Sequence, residues 1–152
     1  MIQVSFSGGG TQTITSAGKT FSCPITVNTY GGTVQLADAL NIGTNTLTVT
    51  NGTFDTKNFN VTAGALSSSN SNVRTITLGS STLTLSSGSA VVLTTITNLT
   101  FNAGTSQITM SSQTGFASGG LTFYNVSFTL TTGGFTHTIS GANTFNNLTF
   151  IS

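Results

Sequence analysis

The chain has 152 residues, 36% of them hydrophobic, which is long and apolar enough for one domain with a packed core. Only 3% of the residues are charged, the net charge is +1, and the only lysines and arginines are Lys19, Lys57 and Arg74. So few cations exclude binding to nucleic acid or to an anionic membrane through charge. The longest apolar run, Ala90–Leu93, is far shorter than the ~20 residues that span a bilayer, so no membrane insertion is expected, and the first residues do not resemble a signal peptide.

The composition favours strands over helices. There is no Glu, and Ser and Thr together make up roughly a third of the chain. Thr and Val lose side-chain freedom in a helix but fit a pleated strand, whereas Glu, Lys and Arg normally make a helix surface soluble. We therefore predict an all-β fold whose outward-facing side chains carry hydroxyl groups in place of charge.

Short stretches of alternating hydroxyl and branched apolar residues recur along the chain. In order, they are Thr13–Thr15, Thr46–Thr50, Thr75–Leu78, Thr82–Leu85, Gln107–Met110 and Leu121–Phe123. A period of two predicts strands with one face inward and one face outward. Between these stretches, glycines with Asn and Ser around them predict tight corners. The corner glycines are Gly8–Gly10, Gly31–Gly32, Gly43, Gly52, Gly64, Gly79, Gly88, Gly104, Gly119–Gly120 and Gly133–Gly134.

Internal repeats favour a solenoid over other all-β folds. Leu99–Phe101 recurs as Leu121–Phe123 and again as Leu148–Phe150, while Thr75–Thr77 recurs as Thr95–Thr97. The first and the last of these recurrences have a spacing of about twenty residues, which is the length of one coil of a parallel β-helix. We therefore predict one domain over residues 1–152, a parallel β-helix (β-solenoid) with coils of about 20 residues, which also fits a segment of a longer repeat array. A β-sandwich is the alternative fold.

The start and the end of the chain are related in sequence. Thr11–Ala17 aligns with Thr136–Ala142, and one residue of slippage brings Phe21 over Phe145. The last residues keep an apolar strand pattern without charge or proline, whereas solenoids usually end in polar capping repeats. We therefore predict a head-to-tail homopolymer. The residues predicted to form its contact are Thr11, Thr13, Ile14, Phe21, Ile25, Val27, Ile139, Phe145, Leu148, Phe150 and Ile151.

Compositional motifs cover nearly the whole chain, among them Leu-Thr-Phe-Asn-Ala-Gly at 99–104 and Thr-Phe-Asn-Asn-Leu-Thr-Phe at 144–150. In these motifs the chain resembles the Thr/Ser/Gly/Asn-rich β-solenoid repeat regions of extracellular filaments, bacterial surface adhesins and phage tail or fibre proteins. The resemblance implies a structural role outside a cell, at a cell surface or on a virion. It carries over no active site.

Few residues could support catalysis. Asp38 and Asp55 are the only acidic residues, and a glycoside hydrolase would need both as its carboxylate pair. Both lie in turn-like contexts, where Asp is common, so a catalytic pair is the weaker interpretation. His137 aligns with Gln12 and has no triad partner nearby in sequence, and the single cysteine, Cys23, fits a small core residue. We expect no enzyme activity, no cofactor and no metal site.

Three surface features leave alternatives open. Tyr30, Tyr124 and the Asn-rich corners could contact a carbohydrate, which predicts an adhesin-type module that binds glycans or a host surface. The Thr-x-Thr motifs resemble those of ice-binding β-helices, although their spacing along the sequence is uneven. Sequons occur about as often as chance predicts for this composition, so they do not decide whether the chain is glycosylated. They begin at Asn51, Asn60, Asn98, Asn125 and Asn147.

Overall fold

The structure is a computed structural model, and it describes residues 2–111, 115–129 and 136–151. These ranges contain strands but no helix, and accordingly no helix long and apolar enough to cross a membrane. The strands are β1 Val4–Phe6, β2 Thr11–Ile14, β3 Ile25–Leu36, β4 Leu40–Asn41, β5 Thr46–Asp55, β6 Val61–Ala63, β7 Ala65–Ser67, β8 Arg74–Thr77, β9 Thr82–Leu85, β10 Ser89–Leu93, β11 Leu99–Asn102, β12 Gln107–Met110, β13 Gly115–Ser118, β14 Thr122–Thr129, β15 Thr138–Ser140 and β16 Thr144–Ile151.

The strands wind into a parallel β-solenoid with three faces. Face one stacks β1, the first halves of β3 and β5, β7, β10, β13 and β15, and face two stacks β2, the second halves of β3 and β5, β8 and β11. Face three stacks β4, β6, β9, β12, β14 and β16. The chain crosses face one at seven levels, so about six turns separate the first level from the last. We call each level a layer and number the layers one to seven from the N-terminus.

The strand pairing confirms the predicted solenoid. All the described strand pairs are parallel, whereas a β-sandwich is built from antiparallel strands. The register also shows that the coil length varies along the stack. Ile108 pairs with Val126 across a short coil, whereas Val91 pairs with Phe116 across a long one. The predicted coil length lies between these two.

The inward-facing side chains form one apolar cluster along the solenoid axis. Burial alternates along the strands, as in β5, where Leu47, Val49 and Phe54 are buried and the threonines between them are partly exposed. Each fully buried side chain of this size contributes about 1.5–3 kcal/mol through removal of apolar surface from water. Cys23 is buried and unpaired, as the sequence predicted.

Two of the sequence repeats do not occupy equivalent places in the stack. Thr95–Thr97 lies in a loop, and the residue that pairs with Thr75 is Thr100. Leu148–Phe150 pairs with Val126–Phe128 on face three, so it is not a third copy of the Leu-Thr-Phe position in β11. Short Thr-rich motifs recur by composition alone, and spacing could not separate these recurrences from structural repeats.

Candidate functional site

The C-terminal end of the stack is an open apolar surface. β16 pairs with β14 along one edge, and no described strand pairs with its other edge. Leu148 and Phe150 are in register with Val126 and Phe128, so they point into the core. Yet Leu148 is 38% and Phe150 is 51% exposed, whereas the two residues beneath them are buried. Among the described residues, no further layer covers the hydrophobic core at this end.

The N-terminal end is also open. β1 and β2 each pair with β3, and the described chain places no strand on their other edges. Val4, Phe6 and Phe21 are half-buried and pack against the core. Gln12 lies beside Val34 and therefore points inward, and its Oε1 is buried with no hydrogen-bond partner among the described residues. This end thus combines apolar surface with one unsatisfied acceptor.

The residues predicted to form the head-to-tail contact differ in exposure. Ile14, Ile25 and Val27 are buried. Ile25 and Val27 lie in layer two beneath β1, so Val4 and Phe6 occupy the terminal position in their place. The sequence reasoning missed these two residues, although the alternation in Val4-Ser5-Phe6 could have identified them. Of the other predicted residues, the half-buried ones are Phe21, Ile139 and Phe145, and the exposed ones are Thr11, Thr13, Leu148, Phe150 and Ile151.

The structure corrects the alignment of head and tail. The sequence alignment places Ile139 over Ile14. In the structure, Ile139 pairs with Phe116 on face one, and the strand pairs followed layer by layer down that face lead to Val4, whereas Ile14 lies on face two. On face three, the register from Thr20 leads to Thr149, which makes Phe21 the counterpart of Phe150. β15 is therefore the counterpart of β1, and the second half of β16, residues 147–151, is the counterpart of the segment around Phe21.

A cleft opens where the corner between faces two and three shortens. The rings of Phe101 and Phe123 pack 5.0 Å apart, and Gln107 pairs with Asn125, so layers five and six are aligned on both sides of the corner. Six residue steps separate Phe101 from Gln107, but only two separate Phe123 from Asn125. Layer six therefore has a shorter corner, and the corner of layer five projects beyond it at Ala103–Gly104. We call this projection the ledge and the space beside it the ledge cleft.

The ledge cleft has a volume of about 290 Å³ and no charged side chain in its lining. Tyr124 and Asn146 lie on adjacent strands, one residue after the paired Phe123 and Phe145. Gly104 at the ledge has φ +59°, and a Cβ there would collide with the backbone of layer four, so a glycine is required. The cleft is lined by Ala103, Gly104, Thr122, Phe123, Tyr124, Thr144, Phe145 and Asn146.

The two carboxylates serve separate turns. Asp55 pairs with Gln35 in the register of β3 and β5. Gln35 precedes Asp38 by three residues, so the two carboxylates lie in adjacent layers but at different positions along them. The Asp38 carboxylate accepts hydrogen bonds of 2.7 Å from the backbone N–H groups of Ser16 and Ala17, and these bonds, that from Ser16 above all, lower the pKa of Asp38. Asp55 accepts a bond from the backbone N–H two residues along the chain. Asp38 lies in a bend, as its sequence context indicated, whereas Asp55 is the last residue of β5 and its side chain caps the turn that follows.

Other candidate residues also have structural contacts. The His137 ring packs edge-on against Phe128, with the centroids 5.1 Å apart. In the described ranges no three residues among His, Cys, Asp and Glu are grouped so that they could hold a metal ion. Tyr30 is 80% exposed at a bulge in β3, far along the stack from Tyr124.

Arg74 is a buried residue that sequence reasoning treated as a surface cation. It is 1% exposed, and burial lowers the pKa of its guanidinium group. Its nitrogens donate hydrogen bonds to the Ser68 hydroxyl and to the carbonyl oxygens of Ser68, Asn72, Thr95 and Thr97. Lys19 and Lys57 are therefore the exposed cationic side chains within the described chain.

Face two carries a regular rank of threonines that the sequence spacing conceals. Five outward-facing residues lie side by side in consecutive layers, namely Thr11, Thr33, Thr53, Thr75 and Thr100. The neighbouring outward rank is mixed and contains Thr13, Gln35, Asp55, Thr77 and Asn102. A regular Thr-x-Thr surface would need threonine in both ranks, so face two does not reproduce that motif.

Comparisons with protein-family models, curated proteins and solved structures gave no significant match to this chain. The functional argument therefore depends on the geometry and chemistry described above.

Proposed function

We propose that this chain is a non-enzymatic structural module that associates head to tail in an extracellular filament, fibre or virion appendage. The observation that carries the proposal is the exposure of Leu148 and Phe150, two inward-facing core residues, at the C-terminal end of the stack. A free strand edge beside exposed apolar side chains is a surface on which another parallel strand can pair. The localisation rests on the resemblance of the sequence to extracellular and virion solenoids.

In the proposed assembly, we expect the strands that share a register column to meet. On face one, β1 of the next copy follows β15, and on face three the segment around Phe21 follows β16. Each contact joins a free edge to a free edge. On face one half-buried Ile139 meets half-buried Val4, and on face three half-buried Phe21 meets exposed Phe150. Above β11, the first residues of β14 and β16 lie over face two, because Phe123 packs on Phe101 and Phe145 stacks on Phe123, so Phe145 lies at the open end of this face. The contact joins two different surfaces, so it does not close and extends as a fibre.

The charge distribution supports association. The net charge is +1, and of the two exposed cations Lys57 lies in the corner of layer three, whereas Lys19 precedes Thr20 at the edge of the N-terminal contact surface. Copies of a chain with so little charge repel one another only weakly, whereas an ordinary domain surface carries enough net charge to keep copies apart.

Charge substitution at the open end tests the proposal. In the variant Leu148→Lys/Phe150→Lys, two ammonium groups would have to be buried in each contact, so we expect filaments to disappear. The control is Thr62→Lys/Thr84→Lys, which adds the same charge to outward positions in the middle of face three and should assemble like the parent. Negative-stain electron microscopy and sedimentation velocity give the readout. A parent chain that stays monomeric at high concentration, or a double-lysine end variant that forms normal filaments, contradicts the proposal.

A further inference from the structure

The walls of the ledge cleft are held by the hydrogen bonds of the stack. β14 and β16 pair in register at Thr122–Phe123 and again at Asn125–Thr129, on both sides of Tyr124. The ledge is fixed by a 2.8 Å hydrogen bond from the Thr105 N–H to the Gly79 carbonyl oxygen in the layer below. A preformed cleft binds a ligand without an entropic cost for ordering its walls.

The chemistry of the lining selects a neutral polar ligand. None of the eight residues is charged, so an ionic ligand would be desolvated without a counter-charge. Tyr124 is half-buried and presents an aromatic ring with a hydroxyl group, and exposed Thr122, Thr144 and Asn146 add hydroxyl and amide groups. The Asn146 Nδ2 lies 3.3 Å from the Asn125 Oδ1, to which it donates, and this bond orients the amide.

A sugar ring has the matching chemistry. Its C–H face packs on an aromatic ring, and its rim of hydroxyl groups exchanges hydrogen bonds with amides and hydroxyls. The cleft volume of about 290 Å³ lies at the lower end of ligand pockets, which suits one or two sugar rings. An extended peptide would instead pair with a free strand edge, and the free edge beside this cleft, that of β16, is the one assigned to the head-to-tail contact.

We propose that the ledge cleft binds a neutral carbohydrate, with Tyr124 as the stacking platform and Asn146 as the principal hydrogen-bonding residue. All the lining residues belong to one chain, so binding can be measured on the monomer; in an assembly the next copy would lie beside Thr144, Phe145 and Asn146 of β16. If copies do assemble, the cleft repeats once per copy along the fibre, and a polymeric glycan would be bound with avidity.

Tyrosine fluorescence reports directly on the site, because the chain has two tyrosines and no tryptophan. In the full-length Tyr30→Phe variant, Tyr124 is the single emitter. Titration with cellotetraose, maltotetraose, mannotetraose and chitotetraose should give a saturable change in emission with at least one of them. Isothermal titration calorimetry then compares variants with that sugar, and we expect Tyr124→Ala to lose about tenfold or more in affinity.

Matched variants distinguish a binding role from a structural one. Tyr30→Ala removes the other tyrosine and should bind like the parent, while Tyr124→Phe keeps the ring and should lose less affinity than Tyr124→Ala. Circular dichroism checks that each variant is folded. The proposal is wrong if none of the four sugars binds at concentrations up to about 10 mM, or if Tyr124→Ala binds normally while folded. Binding of a proline-rich peptide with no binding of sugars would assign the cleft to a different ligand class and also overturn it.

Discussion

Arg74 joins two loops from inside the solenoid. Its guanidinium group contacts the loop around Ser68 and Asn72 in layer four and the loop around Thr95 and Thr97 in layer five. A buried cation without a carboxylate is costly unless its donors are satisfied, and here oxygen atoms surround the group. The two long loops in turn have carbonyl groups that point inward and need a donor. Arg74 and these loops therefore stabilise each other.

We expect Arg74→Met to lower the free energy of unfolding by about 3 kcal/mol or more, because several buried carbonyl oxygens lose their donor. Arg74→Lys keeps the charge but cannot reach all of these oxygens, so it should lie between the parent and Arg74→Met. Urea unfolding followed by circular dichroism measures the differences. The control Lys57→Met removes an exposed cation and should change stability by less than about 0.5 kcal/mol. Equal effects of the two methionine variants would show that Arg74 has no special role.

The lowered pKa of Asp38 predicts an acid-sensitive link between layers one and two. A carboxylate with a folded pKa below its unfolded value near 3.8 stabilises the fold above that value. This stabilisation is lost as the pH falls through the lower, folded pKa. We expect Asp38→Asn to be less stable than the parent at pH 7 and to show a smaller loss of stability on acidification. Unfolding curves measured from pH 7 down to pH 2 test this, with Asp55→Asn as the control that should keep the acid-dependent loss.

At the scale of the element, the corner glycines decide how closely the layers stack. Gly52 in β5 has φ +80°, and an added Cβ would overlap the Thr29 hydroxyl and the Gly32 carbonyl of the layer below. The Thr29 hydroxyl is itself buried and donates to the Gly32 carbonyl oxygen at 2.9 Å. A side chain at position 52 would therefore disturb both the backbone angle and a buried hydrogen bond.

Gly52→Ala should lower the free energy of unfolding by about 2–4 kcal/mol, through strain and overlap together. Gly43→Ala is the matched control, because Gly43 has a similar φ of +62° but open space around it. It should cost only the backbone strain of a left-handed alanine, about 1 kcal/mol. Thermal unfolding of both variants measures the difference. Equal losses would mean that the close approach between layers two and three does not matter.

Several elements followed directly from the sequence. Period-two alternation predicted strands such as β5 and β9 because an inward face must be apolar. Asn58 and Asn98 lie at corners with positive φ, as expected for Asn between strands, whereas Asn125 and Asn147 lie in β14 and β16, where the Asn147 Nδ2 donates to the Asn125 Oδ1 at 2.9 Å. The register, the short corner at Tyr124 and the burial of Arg74 were not predictable, because each depends on which layer lies above and below. Short hydroxyl-rich motifs are compatible with several registers.

At the scale of the whole molecule, any layer that ended the stack would expose apolar side chains, and the last layer is not special in this respect. Beneath β15 and β16 lie Phe116, Phe123 and Phe128, all of them buried. Deleting the last layer would expose these rings and create a new end that is more apolar than the first. A truncated chain is therefore expected to remain prone to association, and truncation cannot test the assembly. Charged residues placed on the existing ends can test the assembly, because they leave the layers beneath them covered.

Blocking opposite ends separately tests whether the contact joins two different surfaces. Leu148→Lys/Phe150→Lys blocks the C-terminal end, and Val4→Lys/Phe21→Lys blocks the N-terminal end by the same desolvation cost. Each variant alone should be monomeric, because every head-to-tail contact needs one end of each kind. Mixed in equal amounts, the two variants should form a one-to-one dimer and stop there, since one good end of each kind remains. Sedimentation velocity distinguishes the species, and circular dichroism confirms that both variants keep their β signal. If either variant dimerises by itself, the contact joins like ends, and the head-to-tail arrangement is wrong even if the parent forms assemblies.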